Sequence, residues 1–292
     1  MTSRLAVVLL FTQILYTCFG CSRKSDVINV ADLEANEALK YYKAAKGKLG
    51  CDLKTALFRI IRNHQTRNYG DLWQMIQTAD LDKYYEGDNT ILDRYSENPS
   101  GSDFFEYSKK VDQCGTSRKE GDCYNREHSI PKSWFSKQKP MLTDGHHIFA
   151  SDGYVNSRRS NYPYGEVQRA TYTSQSGSML GPGKSQLGYS GKVFEPIDEF
   201  KGDFARAYFY MATCYEDQIF KWKNNDRIAN DVLDGTKCTV FVPWVLSTLK
   251  RWHKIDPVSR TDIYRNEEVF RFQGNRNPFV DHPEYVEAIW GN

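Results

Sequence analysis

Beyond its first 40 residues the 292-residue sequence contains no Cys-x-x-Cys pair, and throughout it has no His-Glu-x-x-His and only six histidines. The first absence removes most structural zinc schemes, which take thiolates from closely spaced cysteines. The second removes the helical dihistidine site of zinc peptidases, and so few imidazoles supply a zinc hydrolase poorly. Long hydrophobic runs are also missing. The apolar stretch from Leu5 to Leu15 is interrupted by Thr12 and Gln13 and is too short to span a bilayer. A mean hydropathy of -0.65 points the same way. Charge of one sign is scarce as well, with a net +2, so the whole molecule does not announce a polyanion partner. Neither an internal repeat nor a linker is visible, and the length suits one domain.

What is present begins with an export signal. Arg4 supplies a positive start, the apolar stretch follows, and small or polar residues come next. Residues 1–20 therefore read as a leader, 21–40 as a tether and 41–292 as the folded domain. Gly20-Cys21 before SRKSD fits a loose lipid-anchor box at Cys21, with Cys18 in a similar setting and ordinary cleavage nearby as the alternative. Export makes disulfides permissible. Cys114 and Cys123 are spaced to close a short loop, or else stay reduced and buried. The body of the chain holds five cysteines, an odd number, so at least one thiol is free.

Charge is unevenly distributed. Residues 109–192 hold thirteen Lys and Arg against seven Asp and Glu, a local +6 of the kind that phosphate binding uses. Helical periodicity is clear in ADLEANEALKYY and in CDLKTALFRIIRNH, where Leu53, Ala56, Leu57, Ile60 and Ile61 form one apolar face. DEFKGDFARAYFYMATCYEDQ and VPWVLSTLKRWHK read as two further helices. Residues 86–122 suggest loops with short strands, and the Gly/Ser-rich run at 171–191 a surface loop or hairpin.

The chemistry concentrates in CYNREHSIPKSWF, residues 123–135, and DGHHIFASDGYVNSRRSNYPYGE, residues 144–166. Ser151 or Asp152 can N-cap a helix that carries Asn156, Arg158 and Arg159. A strand bearing Glu127 and His128, packed on that helix, makes a workable phosphoryl-hydrolysis site. A hard cation takes oxygens from a carboxylate and an amide. A neutral imidazole can deprotonate water, since its ordinary pKa of about 6.5 lies near working pH. Arginine balances charge on phosphate oxygens.

The run REHSIPKSWF, followed by the D-HH-F-SDGYVN-RRSN-P-GE pattern, resembles the endonuclease I family of bacterial secreted and periplasmic nucleases. Further blocks, FEPIDEFKGDFARAYFYMAT and the C-terminal RWHKIDPVS…QGNRNPFVDHPEYVEAIW, extend the likeness over roughly residues 40–290. The resemblance implies an α+β, mainly helical single domain built around a ββα-metal, or His-Me, finger. It implies His128 as general base, Glu127 and Asn156 as metal ligands, and Arg126 beside the base. Arg159, or Arg158, falls where a phosphate contact is expected, and His147 is expected to support the site from behind. The cofactor implied is Mg²⁺, with Mn²⁺ or Ca²⁺ as alternatives. Single-metal hydrolysis of DNA and RNA to 5′-phosphate and 3′-hydroxyl ends follows, without an obligate protein partner. His146, Arg265, Asn275, Arg276 and Asn277 read as structural residues.

Overall fold

Helix formation starts where the apolar periodicity starts. The computed structural model describes residues 40–291; the leader, Cys18, Cys21 and the tether up to residue 39 lie outside them. Helix α1 (Gly50–Ile61) buries Leu53, Ala56, Leu57 and Ile61, the face read from the sequence. Lys54 is buried beside them and donates to the carbonyl of Lys237 and to Glu216. Helix α2 (Leu72–Ala79) turns Leu72, Met75, Ile76 and Ala79 inward at the same spacing.

Two small antiparallel sheets follow. Strand β1 (Tyr124–His128) pairs with β2 (Ile148–Asp152), with Glu127 opposite Phe149 and His128 opposite Ile148. The short helix α3 (Gly153–Arg159) leaves β2 directly. Strands β3 (Tyr172–Thr173), β4 (Met179–Pro182) and β5 (Lys192–Glu195) form the second sheet, with β4 in the middle. The Gly/Ser-rich run is thus a hairpin extended by a third strand. Residues 86–122 are loops, held by isolated bridges such as Leu81 to Ile91 in place of the short strands expected.

Helix α4 (Lys201–Cys214) is buried along its whole length and forms the axis of the main core. A helix that is enclosed on all sides needs no apolar stripe, and its charged residues must be paired. Arg206 accordingly bonds Asp203 and Asp262 at 3.0 and 2.8 Å. After the one-turn helices α5 (Ile219–Trp222) and α6 (Arg227–Val232) comes α7 (Pro243–Ile255). Proline stands at its first turn, where the missing N–H costs nothing, and Val245, Leu249 and Trp252 pack inward. Helix α8 (Arg260–Gln273) opens with a reciprocal Ser259–Asp262 cap and closes at Gly274, whose φ of +88° suits glycine. Two short helices, α9 (Pro278–Asp281) and α10 (Tyr285–Trp290), complete an α+β domain.

A second, smaller core joins α2 and α8 to the β1–β2 pair through Met75, Ile76, Tyr124, Ile148 and Val269. Beside it Asp80 accepts from Arg265 at 2.7 Å and from the Ala150 backbone at 3.1 Å. Arg265 also donates to the carbonyls of Gly145 and Ile148. These bonds tie β2 to α8 and to the residue that follows α2.

Candidate active site

Asp152 decides where α3 begins. Its Oδ1 accepts from the backbone N–H groups of Tyr154 and Val155 at 2.7 and 2.8 Å, so it, not Ser151, is the cap. Its Oδ2 accepts from the Tyr107 hydroxyl at 2.6 Å and the Gly121 N–H at 2.8 Å. The Gly153 N–H donates to the Cys123 carbonyl at 2.9 Å. A Cβ at Gly153 would lie 3.1 Å from Ser117 Oγ and 3.2 Å from the Cys114 sulfur, so a larger residue would have to push that loop back for the helix to start here. Cys114 and Cys123 are joined as a disulfide. A second one, Cys51–Cys238, ties α1 to the segment before α7, and among the described residues Cys214 is the free thiol, buried.

Along β1 and α3 runs an open cleft of about 530 Å³. Adjacent strand residues point to opposite faces, yet Asn125, Arg126, Glu127 and His128 all reach it, together with Asn156 from α3. The residues expected to act together are therefore brought to one cavity.

His128 is buried, with Tyr69 stacked 6.1 Å away and His147 edge-on at 5.4 Å. Its Nε2 lies 3.1 Å from the Leu142 carbonyl, which can only accept, so the proton sits on Nε2. Nδ1 has no hydrogen-bond partner. Burial first, then the charges of His147 and Lys132, hold the ring well below the usual histidine pKa. The imidazole is neutral and carries a lone pair on Nδ1.

Glu127 is equally buried. Its Oε1 accepts from Tyr95 at 3.0 Å and from Arg159 at 2.5 Å, and Tyr164 stands 2.8 Å from the Tyr95 hydroxyl. Burial raises its pKa, with Arg159 and then the two tyrosines pulling it back. Among the described residues no hydrogen bond falls on Oε2. Asn156 donates through Nδ2 to Asn125 Oδ1 at 2.6 Å, which leaves its own Oδ1 as an acceptor. The donors offered to the cleft are thus a carboxylate oxygen and an amide oxygen. That set fits a hard divalent cation and offers nothing to a soft one.

Arg159, where a phosphate contact is expected, lines the cleft, but its guanidinium is engaged by protein groups. It is buried, and besides Glu127 it donates to the carbonyls of His128 and Ser129 at 2.8 and 2.6 Å. Its guanidinium lies 4.5 Å above the Tyr164 ring. Arg158 points outward over Tyr172, 5.1 Å from the ring, and does not line the cleft. Arg126 does line it, donating to the Tyr69 carbonyl at 2.8 Å and lying against the rings of Tyr69 and Trp73. Lys132 and Lys137 join it there.

The adjacent histidines are structural. His147 bonds the Met141 carbonyl at 2.7 Å behind His128, and His146 bonds the Asn275 carbonyl at 2.9 Å. Asn275 donates to Ile61 and Tyr210, Asn277 caps α9, and Arg276 pairs with Glu267, as knitting residues should. Tyr69, Tyr95, Tyr164, Asn125 and Lys132 were not singled out in the sequence. Lys132 and Asn125 lie inside the REHSIPKSWF neighbourhood and were within reach; the tyrosines come from distant segments and carry no local signal.

A model of the Endonuclease I family matches residues 49–284. The chain belongs to the endonuclease I family. It is therefore a nuclease, a hydrolase acting on nucleic acid. It is 35% identical over 257 residues to an extracellular ribonuclease of Bacillus amyloliquefaciens, covering 86% of this chain and 78% of the relative. An Endonuclease-1 of Buchnera aphidicola subsp. Acyrthosiphon pisum is 27% identical over 144 residues, 49% of this chain and 46% of its own. A periplasmic deoxyribonuclease of Aeromonas hydrophila is 25% identical over 141 residues, 48% of each. The shorter matches leave about half of this endonuclease I family member uncovered, whereas the Bacillus enzyme spans most of it.

Proposed function

We propose that this endonuclease I family member is an exported endonuclease that hydrolyses phosphodiester bonds of DNA and RNA with little regard to sequence. It uses one divalent cation and His128 as general base. The observation that carries this reading is that His128, a neutral imidazole whose Nδ1 has no hydrogen-bond partner, lines the same cleft as two free oxygen donors.

In this reading β1, β2 and α3 are the ββα-metal finger. Glu127 Oε2 and Asn156 Oδ1 hold Mg²⁺, with Mn²⁺ or Ca²⁺ as alternatives. When bound, the cation supplies positive charge to the scissile phosphate and the departing oxygen. The Leu142 carbonyl keeps the proton on Nε2, so Nδ1 accepts the proton of an attacking water. Arg126 and Lys132 face the phosphate oxygens from the cleft wall. Arg159 acts through Glu127, holding its carboxylate charged and oriented, and does not touch phosphate. Products end in 5′-phosphate and 3′-hydroxyl.

The cleft offers metal, base and cations, all of which address the sugar-phosphate backbone. Backbone contacts carry no sequence information, so cutting is nearly sequence-neutral. The names of the relatives, one a ribonuclease and another a deoxyribonuclease, support both substrates. Their extracellular and periplasmic labels support export, as does the leader.

Digestion of plasmid DNA and of RNA by the purified protein, with EDTA and then with Mg²⁺ or Zn²⁺ restored, tests the proposal. Both substrates should be cut only with Mg²⁺, at ends showing no consensus, and more slowly as salt rises. Activity that survives EDTA, or a sharp consensus at the cut ends, overturns it.

A further inference from the structure

Outside the cleft, three carboxylates converge where nothing in the nuclease reaction requires them. Oxygens of Glu86, Glu97 and Asp103 lie within 4.8 Å of one another. They come from two loop segments, 82–87 and 97–103. Asp82 accepts from the N–H groups of Tyr84, Tyr85 and Gly87 and so folds the turn that carries Glu86. Asn98 donates its N–H to Asp103 Oδ1 at 2.7 Å and its side-chain amide to the Ser102 carbonyl, bending 98–103 back onto Glu97.

Glu97 makes this more than an acidic surface. It is only 1% exposed, yet neither of its carboxylate oxygens has a hydrogen-bond partner. Buried carboxylates are ordinarily paired with a cation or several donors. Here one of the two oxygens instead lies within 4.8 Å of oxygens from two further carboxylates.

We infer that Glu86, Glu97 and Asp103 bind a calcium ion that fastens the 82–103 loops together. A cluster of three carboxylates supplies the negative charge a divalent ion needs. The exposed Glu86 leaves one side of the site open to water, which suits the six to eight oxygens that Ca²⁺ collects. Two residues before Glu97, Tyr95 donates to Glu127. The ion therefore steadies the segment that orients the catalytic carboxylate without touching substrate.

Calcium titration calorimetry on a chain carrying Glu127→Gln and Asn156→Ala separates this site from the cleft. One Ca²⁺ per chain should still bind, with a Kd of about 10⁻⁴–10⁻³ M, as in extracellular modules. At ten times that Kd the melting temperature should rise by about 2–4 °C. Adding Glu97→Gln should weaken binding at least about tenfold and abolish the shift; if that chain does not fold, the exposed Glu86→Gln decides the matter. A cleft-disabled chain that binds no Ca²⁺, or binds it equally after these substitutions, overturns the inference. So does a Glu97→Gln protein that melts higher than its parent while Ca²⁺ changes neither, because the carboxyls then share protons instead. The cleft is disabled throughout, so none of these outcomes depends on how the nuclease reaction works.

Discussion

Removing the His128 imidazole, as in His128→Ala, is expected to lower turnover by about 10²–10⁴ while nucleic-acid binding changes little. Cleavage of a labelled duplex, alongside filter binding and circular dichroism, checks this; a variant that retains most of its activity would count against His128 as the base. Arg159 belongs to a different class of residue. Its guanidinium is the counter-charge of a buried carboxylate, and it also ties the carbonyls of His128 and Ser129. Arg159→Ala leaves Glu127 charged, buried and unpaired, which should cost about 3–5 kcal/mol in urea unfolding. A loss of activity with unchanged stability would instead mean that Arg159 reaches the substrate. The sequence places both residues in one site; only the packing separates their roles.

At the scale of elements, α3 is seven residues long and cannot hold itself helical in isolation. It stands because Asp152 caps it and because the Cys114–Cys123 loop lies against Gly153. Asp152→Ala removes acceptors for four donors, two at the cap and two from Tyr107 and Gly121. The cap alone is worth about 1–2 kcal/mol. Because α3 carries Asn156, the same variant should need more Mg²⁺ for half-maximal rate. Urea midpoints and Mg²⁺ titrations measure the two effects; a normal Mg²⁺ requirement would show that Asn156 is positioned without its cap. Helices α1, α4 and α7 were legible because apolar residues recur at helical spacing or densely enough to demand burial. Helix α8 was not. It buries Asp262, Arg265, Asn266 and Gln273 beside Thr261 and Val269, so no apolar stripe marks it.

For the molecule as a whole, buried histidines set the response to acid. His146 and His147 are fully enclosed, and burial lowers each pKa to about 4, against the partial restoring pull of Asp144. At these two residues the unfolded chain takes up protons from about pH 6.5 downward, while the folded chain refuses them until about pH 4. The stability these two histidines contribute is therefore full above pH 6.5 and declines as pH falls towards 4. Each residue should cost about 2 kcal/mol between pH 7 and pH 5. Urea unfolding at the two pH values, compared with His146→Gln, tests this; the variant should lose about 2 kcal/mol of the wild-type change between pH 7 and pH 5. Equal slopes for the two proteins would mean that His146 is not the proton-linked group.

By itself the sequence determined the chemistry on offer. The order of Arg126, Glu127 and His128, the helix with Asn156 four residues beyond Asp152, and the apolar faces of α1, α4 and α7 are local patterns, set by spacing along the chain. Tertiary structure decided which groups are free to act. Arg159 is engaged by Glu127, Arg158 faces out, Nδ1 of His128 is left without a partner, and tyrosines 95 and 164 steady the carboxylate. Those outcomes depend on segments tens of residues apart meeting in space. Hydrogen bonds and burial between such segments are not properties of either one alone, so no pattern within a single stretch can announce them.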